Sequence, residues 1–150
     1  MSTFLITQTP FSKVRPIDPS VRLTAARLWS ILGTHLDPQE LATTKTLFAD
    51  PEPVVGAAAT DWYTDFDEIG VPVAQLAEAD REPILQEVGR LCANIAQVAA
   101  SLEAETPGSV DASYLRAAIT IPDNNDYIYA FGENPVIVAW GHKLADAGRV

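Results

Sequence analysis

Acidic residues form the one cluster in this sequence whose types and spacing suggest chemistry. From Asp50 to Glu87 there are ten carboxylates against one base, a balance of −9 within a formal net charge of −10. The segment ATDWYTDF and the aspartate after it predict a strand, and a period of two places four of its side chains on one face: Asp61, Tyr63, Asp65 and Asp67. Glu68 lies beside this face. Such a face suits Ca²⁺ binding, an acid/base pair or contact with a basic protein surface. The competing interpretation is a solvated strand edge that its charge protects from aggregation.

The other chemically versatile side chains are isolated from one another. His35 and His142 lie more than 100 residues apart and Cys92 is the only cysteine, so the sequence shows no zinc-ligand spacing. We expect His35 in a turn between helices and His142 at the end of the last strand. Cys92 falls on an apolar helical stripe, which predicts burial and a raised thiol pKa. The sequence therefore predicts no metal site, no cofactor and no catalytic residue.

Recognisable phosphate, nucleophile and calcium motifs are also missing. The chain has no G-x-S-x-G elbow and no glycine pair with the spacing of a phosphate-binding loop. DNND at 123–126 begins like a calcium loop, but Tyr127 stands where a further ligand is required. Since Asp and Asn tolerate turn geometry, a tight connection before a strand is the better interpretation.

Composition is that of one globular domain spanning residues 1–150. The chain is 47% hydrophobic and 20% charged, which suffices for a core without disulfides or a structural metal. Its negative charge disfavours nucleic acid as a partner. There is no apolar run of about 18 residues and no basic start of a signal peptide, so we expect neither membrane insertion nor export. The lone cysteine favours a reducing, cytoplasmic compartment.

The N-terminal third predicts a strand followed by a helical hairpin. Residues 4–9 are β-prone and end at Pro10. Apolar spacings of three and four predict a helix at 19–32, capped by Ser20 and ended by Gly33. A second helix is predicted at 37–48 from a three-residue entry signal: Asp37, Pro38 and Glu40. Two prolines and a glycine then predict a turn at 50–56 before the acidic strand.

The most regular pattern predicts a helix at 80–105. Asp80 is expected to cap it and Pro83 to fall in its first turn. Its apolar stripe alternates spacings of four and three: Ile84, Val88, Leu91, Ile95, Val98 and Leu102. Gly89, inside this helix, is expected to mark the close approach of another backbone.

The C-terminal third predicts a short helix and a β-hairpin. Ser109 or Asp111 is expected to cap the helix, and Ile119–Ile121 to return to strand. YIYAF at 127–131 and VIVAW at 136–140 are joined by GENP, the pattern of a hairpin with a four-residue loop. The predicted fold is α+β: a small antiparallel sheet with this C-terminal β-hairpin packed on one long amphipathic helix, plus an N-terminal helical hairpin.

Residues 60–142 resemble the N-terminal region of bacterial SrfA-like virulence-associated proteins. The resemblance rests on WYT at 62–64, on the long helix that follows, and on PVIVAWG at 135–141. It implies an accessory or scaffolding module and supplies no catalytic residue.

The favoured function is a non-enzymatic bacterial interaction module whose acidic segment contacts a basic protein, with Asp61, Tyr63, Asp65, Asp67 and Glu68 as the binding residues. Two alternatives remain: an immunity-type inhibitor of a basic toxin enzyme, and a small carboxylate-dependent hydrolase. Four bases lie within the first 27 residues against Asp18 alone. This asymmetry is compatible with a homo-oligomer, although pairing of these bases with the acidic segment inside one chain is the simpler expectation.

Overall fold

The computed structural model describes residues 4–18, 20–122 and 125–145, and its fold is α+β as predicted. A 3₁₀ turn at Val73–Gln75 leads into the longest helix. The strands and helices of the described residues follow in chain order: β1 (Phe4–Pro10), β2 (Val14–Pro16), α1 (Ala25–Leu32), α2 (Pro38–Leu47), β3 (Asp50–Pro53), β4 (Ala59–Thr64), β5 (Val71–Pro72), α3 (Glu78–Glu105), α4 (Val110–Ala118), β6 (Ile128–Phe131), β7 (Asn134–Ile137) and β8 (His142–Leu144).

The strands form three small antiparallel sheets. β4 lies between β1 and β3, β6 lies between β5 and β7, and β2 pairs with β8. The β6–β7 hairpin turns through Gly132 and Glu133 alone, because Phe131 pairs with Asn134, so the predicted four-residue loop is wrong. Gly132 has φ of +64°, a conformation that the first central residue of a two-residue turn requires and that glycine adopts without strain.

The long helix α3 confirms the predicted apolar stripe. Leu102 of this stripe is partly buried. The other five residues of the stripe are buried: Ile84, Val88, Leu91, Ile95 and Val98. This face packs against α4 and β7, so the C-terminal hairpin lies on the long helix as expected. The helix begins at Glu78 after Ala77, which offers no capping side chain, so Asp80 is not the cap and Pro83 lies beyond the first turn. A Cβ built on Gly89 has no neighbour within 4 Å, so the predicted close approach is wrong.

The N-terminal helices depend on their capping side chains. At α2 the prediction is confirmed: the Asp37 carboxylate accepts the Glu40 backbone N–H at 2.8 Å. α1 begins at Ala25, six residues later than predicted, because its cap is Thr24, whose hydroxyl accepts the Arg27 N–H at 3.2 Å. The Ser20 hydroxyl instead donates to the Asp18 carboxylate at 2.6 Å.

Two predicted boundaries fail because strand pairing, not local composition, decides them. The expected turn at 50–56 begins with β3, an edge strand, which is where proline is tolerated in a sheet. Ile119–Ile121 does not form a strand, since Ile119 ends α4 and the Thr120 carbonyl accepts the Gly141 N–H at 2.9 Å. Of the DNND connection, Asp123 and Asn124 lie outside the described residues.

Candidate functional site

β4 has a buried face and an acidic face. Trp62 is fully buried, and its Nε1–H donates to the Thr9 hydroxyl at 2.9 Å. Successive strand residues point to opposite sides, so Asp61 and Tyr63 lie on the outer face, where both are partly exposed. The Asp61 carboxylate accepts a hydrogen bond from Gln8 Nε2 of β1 at 2.8 Å. The packing of Trp62 therefore determines which way these two predicted site residues point.

β3 adds two carboxylates to that face, and the sequence analysis missed both. Glu52 pairs directly with Asp61, and Asp50 pairs with Tyr63. Directly paired residues share a face of an antiparallel sheet. The signal was present in the DPEP segment, whose acids alternate with prolines at the period of a strand. We name Asp50, Glu52, Asp61 and Tyr63 the acidic sheet face.

The acids of the acidic sheet face have no ion-pair partner among the described residues. The ion pairs of that part of the chain lie elsewhere, joining Arg90 to Glu40 and Glu87, and Arg116 to Glu103. The expected pairing of N-terminal bases with the acidic segment is therefore wrong. Arg27, one of those bases, instead lies over the Tyr114 ring at 4.2 Å.

An open depression of about 500 Å³ adjoins the acidic sheet face. Asp50, Glu52 and Tyr63 line it from the sheet, and Thr24 and Ala25 line it at the start of α1. The site is thus a surface with a shallow hollow beside an aromatic ring, a shape suited to a protruding side chain of another protein.

The remaining predicted site residues lie away from this face. β4 ends at Thr64, so the prediction that Asp65 and Asp67 continue its acidic face is wrong. Both are exposed in the segment that leads to β5. Asp65 shares a small hollow with Lys45, whereas Glu68 lines a separate one with Phe4 and Leu5. The structure therefore brings together only Asp61 and Tyr63 of the five predicted residues.

His142 is a buried histidine at the start of β8, not at the end of the last strand. Its side chain packs edge-on against Trp62, with ring centroids 5.4 Å apart. Nδ1 lies 2.9 Å from the Trp140 carbonyl oxygen, which can only accept, so Nδ1 carries the proton. Nε2 is buried without a hydrogen-bond partner among the described residues. Burial lowers the pKa of His142, because it penalises the charged ring.

We expect stability to fall as pH decreases from about 7 through the unfolded-state pKa of about 6.5. Because the native pKa of His142 is lowered, the unfolded chain binds the proton first, and the stabilisation present at higher pH is lost on acidification. Urea denaturation at several pH values between about 5 and 8 measures this slope, above the range in which carboxylates titrate. The variant His142→Gln should flatten it, and the matched variant His35→Gln, at an exposed position, should retain it. An unchanged slope in His142→Gln would contradict this assignment.

Cys92 behaves as a core residue. It lies partly buried on α3, and burial raises the pKa of its thiol to about 11, so the thiol stays protonated near neutral pH. His35 lies in the turn between α1 and α2, as predicted. Among residues 4–18, 20–122 and 125–145, no group of three or more potential ligands is placed to hold a metal ion.

None of the helices within the described residues combines the length and apolar character needed to cross a membrane. Comparison of the chain with protein-family models, with curated proteins and with solved structures found no match.

Proposed function

We propose that this chain is a non-enzymatic interaction module that binds a basic protein through the acidic sheet face. One observation carries the proposal: Glu52 lies directly opposite Asp61, and neither has a cationic partner among the described residues. Like charges at paired positions destabilise a sheet, by up to about 1 kcal/mol. A basic partner that contacts both carboxylates removes this repulsion, so binding recovers stability that the free chain lacks.

Tyr63 supplies the aromatic contact of the proposed surface. It lies between Leu5 of β1 and Asp50 of β3, and it lines the adjoining depression. Tyrosine and arginine are enriched among residues that dominate binding energy, so an arginine stacked on Tyr63 and paired with Asp50 is the contact we propose. Because Asp50 and Glu52 line an open hollow rather than a closed cleft, the geometry favours binding over the carboxylate-dependent hydrolase.

A scaffolding role in the cytoplasm completes the proposal. The resemblance to SrfA-like proteins suggests an accessory module, and the lone, protonated Cys92 suits a reducing compartment. The immunity-type alternative uses the same acidic surface but requires one cognate enzyme and an interface of standard size.

The test compares two variants that remove equal charge from different places. Affinity capture from the native host followed by mass spectrometry supplies the partner. Its dissociation constant is then measured for Asp50→Asn/Glu52→Gln/Asp61→Asn and for the matched Asp65→Asn/Asp67→Asn/Glu68→Gln. We expect the first variant to raise the dissociation constant by about 10- to 100-fold and to reduce its salt dependence, and the second to change it less than about threefold.

Equal weakening by the two variants would mean that binding follows net charge alone, and the acidic sheet face would then not be the interface. Weaker binding by the first variant cannot be attributed to unfolding. The variant relieves the Glu52–Asp61 repulsion, so it should unfold no more easily than the parent chain. Recovery of a partner without a basic surface would also contradict the proposal.

A further inference from the structure

We propose that β1 pairs antiparallel with the β1 strand of a second copy of this chain, which forms a two-fold symmetric dimer. This inference concerns the free edge of the β1–β4–β3 sheet and stands independently of the acidic sheet face. The dimer would contain a continuous six-stranded sheet with the two β1 strands at its centre.

The two edges of this sheet differ in their protection against strand pairing. β3 carries two prolines and two carboxylates within four residues, which are features that keep other strands away. β1 has no charged residue, and its one proline is at its end. Its only irregularity is a register shift between Leu5 and Thr7. β1 is therefore the less protected of the two edges.

Gln8 of β1 has backbone groups available for pairing, whereas the Pro10 carbonyl already accepts the Lys13 N–H at 2.9 Å. The Phe11 N–H donates to the Ala58 carbonyl at 2.8 Å, next to the paired residues Pro10 and Ala59. Hydrogen-bonded pairs alternate along an antiparallel ladder, so Thr9 and Thr7 direct their backbone groups toward β4. The N–H and C=O of Gln8 consequently point away from β4, toward a second strand.

Space and apolar surface lie beside this edge. A hollow of about 220 Å³ follows Phe4–Ile6 and one of about 310 Å³ follows Thr7–Pro10, and Tyr129 of β6 lines both. The first hollow also contains large apolar side chains left in water: Phe4 is 45% exposed, Leu5 56% and Ile69 90%. A group of exposed apolar residues on a charged protein marks a contact surface.

Charge complementarity supports a second copy as the occupant. Glu68 lines the hollow at the Phe4 end of β1, and Lys13 lines the hollow at the Pro10 end together with Asp126. Neither Glu68 nor Lys13 has an ion-pair partner among the described residues, so the two can pair across the axis. Antiparallel pairing places the Phe4 end of one copy beside the Pro10 end of the other, so Glu68 of each copy faces Lys13 of its mate. A chain with net charge −10 can associate with itself only through a surface low in negative charge, and β1 provides one.

Repulsion between the acidic sheet faces does not prevent this pairing. The two copies of Asp61 would be separated by three strand spacings, about 14 Å, which exceeds the Debye length of about 8 Å at physiological salt. Because antiparallel pairing about a two-fold axis keeps both outer faces on one side, the dimer presents two acidic sheet faces in the same direction.

Sedimentation equilibrium over a range of concentrations tests the dimer. We expect reversible dimerisation with a dissociation constant of about 10–100 µM, as for a small interface. Leu5→Lys brings a cation beside the mate's Lys13 and should weaken association at least about tenfold. The control Val55→Lys makes the same charge change at a side chain that is 99% exposed in the loop between β3 and β4, and it should leave the dissociation constant unchanged.

Exchanging the charges of Glu68 and Lys13 tests whether these two residues face each other across the dimer axis. Glu68→Lys should weaken the dimer about tenfold, and Lys13→Glu in the same chain should restore it, because the exchanged charges again face each other across the axis. A chain that stays monomeric up to about 500 µM would overturn the proposal. So would equal effects of Leu5→Lys and Val55→Lys, or failure of the exchange to restore association while circular dichroism shows a folded chain.

Discussion

Replacing Trp140 with alanine is expected to lower the free energy of unfolding by about 3–5 kcal/mol. The side chain is fully buried, and its ring packs edge-on against Phe48 and Trp62 at centroid distances of 5.5 and 6.0 Å. The substitution leaves a cavity at the junction of β4, β7 and the segment between α2 and β3, where the surrounding elements are too constrained to collapse. Urea denaturation followed by circular dichroism measures the change.

The variant Trp140→Phe distinguishes the cost of losing the indole hydrogen bond from the cost of the larger cavity. Trp140 Nε1–H donates to the carbonyl oxygen of buried Ala49 at 2.7 Å, and phenylalanine leaves that acceptor unsatisfied, at a cost of about 1–3 kcal/mol. The partly exposed Trp29, which also contacts Phe48, serves as the control, and Trp29→Ala should cost less than Trp140→Ala. A loss below about 1 kcal/mol for Trp140→Ala would show that this aromatic cluster does not hold the sheets together.

The parts of the fold that sequence reasoning predicted correctly depend on local signals. The Asp37 cap of α2 acts within three residues, and the stripe of α3 repeats over about five turns, so each is visible without knowledge of the tertiary structure. α1 shows the limit of such signals. Ser20 and Thr24 are both good capping residues, and the choice between them depends on Asp18, which engages the Ser20 hydroxyl, and on Tyr114, which donates to the Thr24 carbonyl from 90 residues away.

Strand identity was harder to predict because it depends on the partner. DPEP contains two turn-forming prolines, yet it forms β3 because β4 offers an unoccupied edge beside it. The candidate site was consequently only half visible: Asp61 and Tyr63 followed from the period-two pattern, whereas Asp50 and Glu52 join them only through pairing across the sheet. Asp65 and Asp67 were assigned to the same face, with Glu68 beside them, because the sequence does not show that β4 ends at Thr64.

The substitution of glycine by alanine is expected to have opposite effects at Gly89 and Gly70. At Gly89, inside α3, nothing lies within 4 Å of the added methyl group, so Gly89→Ala should stabilise the chain by about 0.5–1 kcal/mol through helix propensity. At Gly70 the added Cβ would stand 2.4 Å from Cζ of Phe131. That ring is buried and stacked on Phe66 at 5.5 Å, so it cannot move freely.

Gly70→Ala should therefore destabilise the chain by about 1–3 kcal/mol, the usual cost of overpacking a core. The φ angle of Gly70 lies outside the left-handed region, so room for the Phe131 ring is the reason for glycine there. Phe131→Leu removes the obstructing end of the ring, and Gly70→Ala should cost less in that background than in the parent chain. Denaturation midpoints are measured for Gly89→Ala, for Gly70→Ala, for Phe131→Leu and for the double variant Gly70→Ala/Phe131→Leu. Destabilisation by Gly89→Ala would contradict the open surroundings of that glycine. Equal costs of Gly70→Ala in both backgrounds would contradict the steric contact with the Phe131 ring, which is the reason that the two substitutions should change the free energy of unfolding in opposite directions.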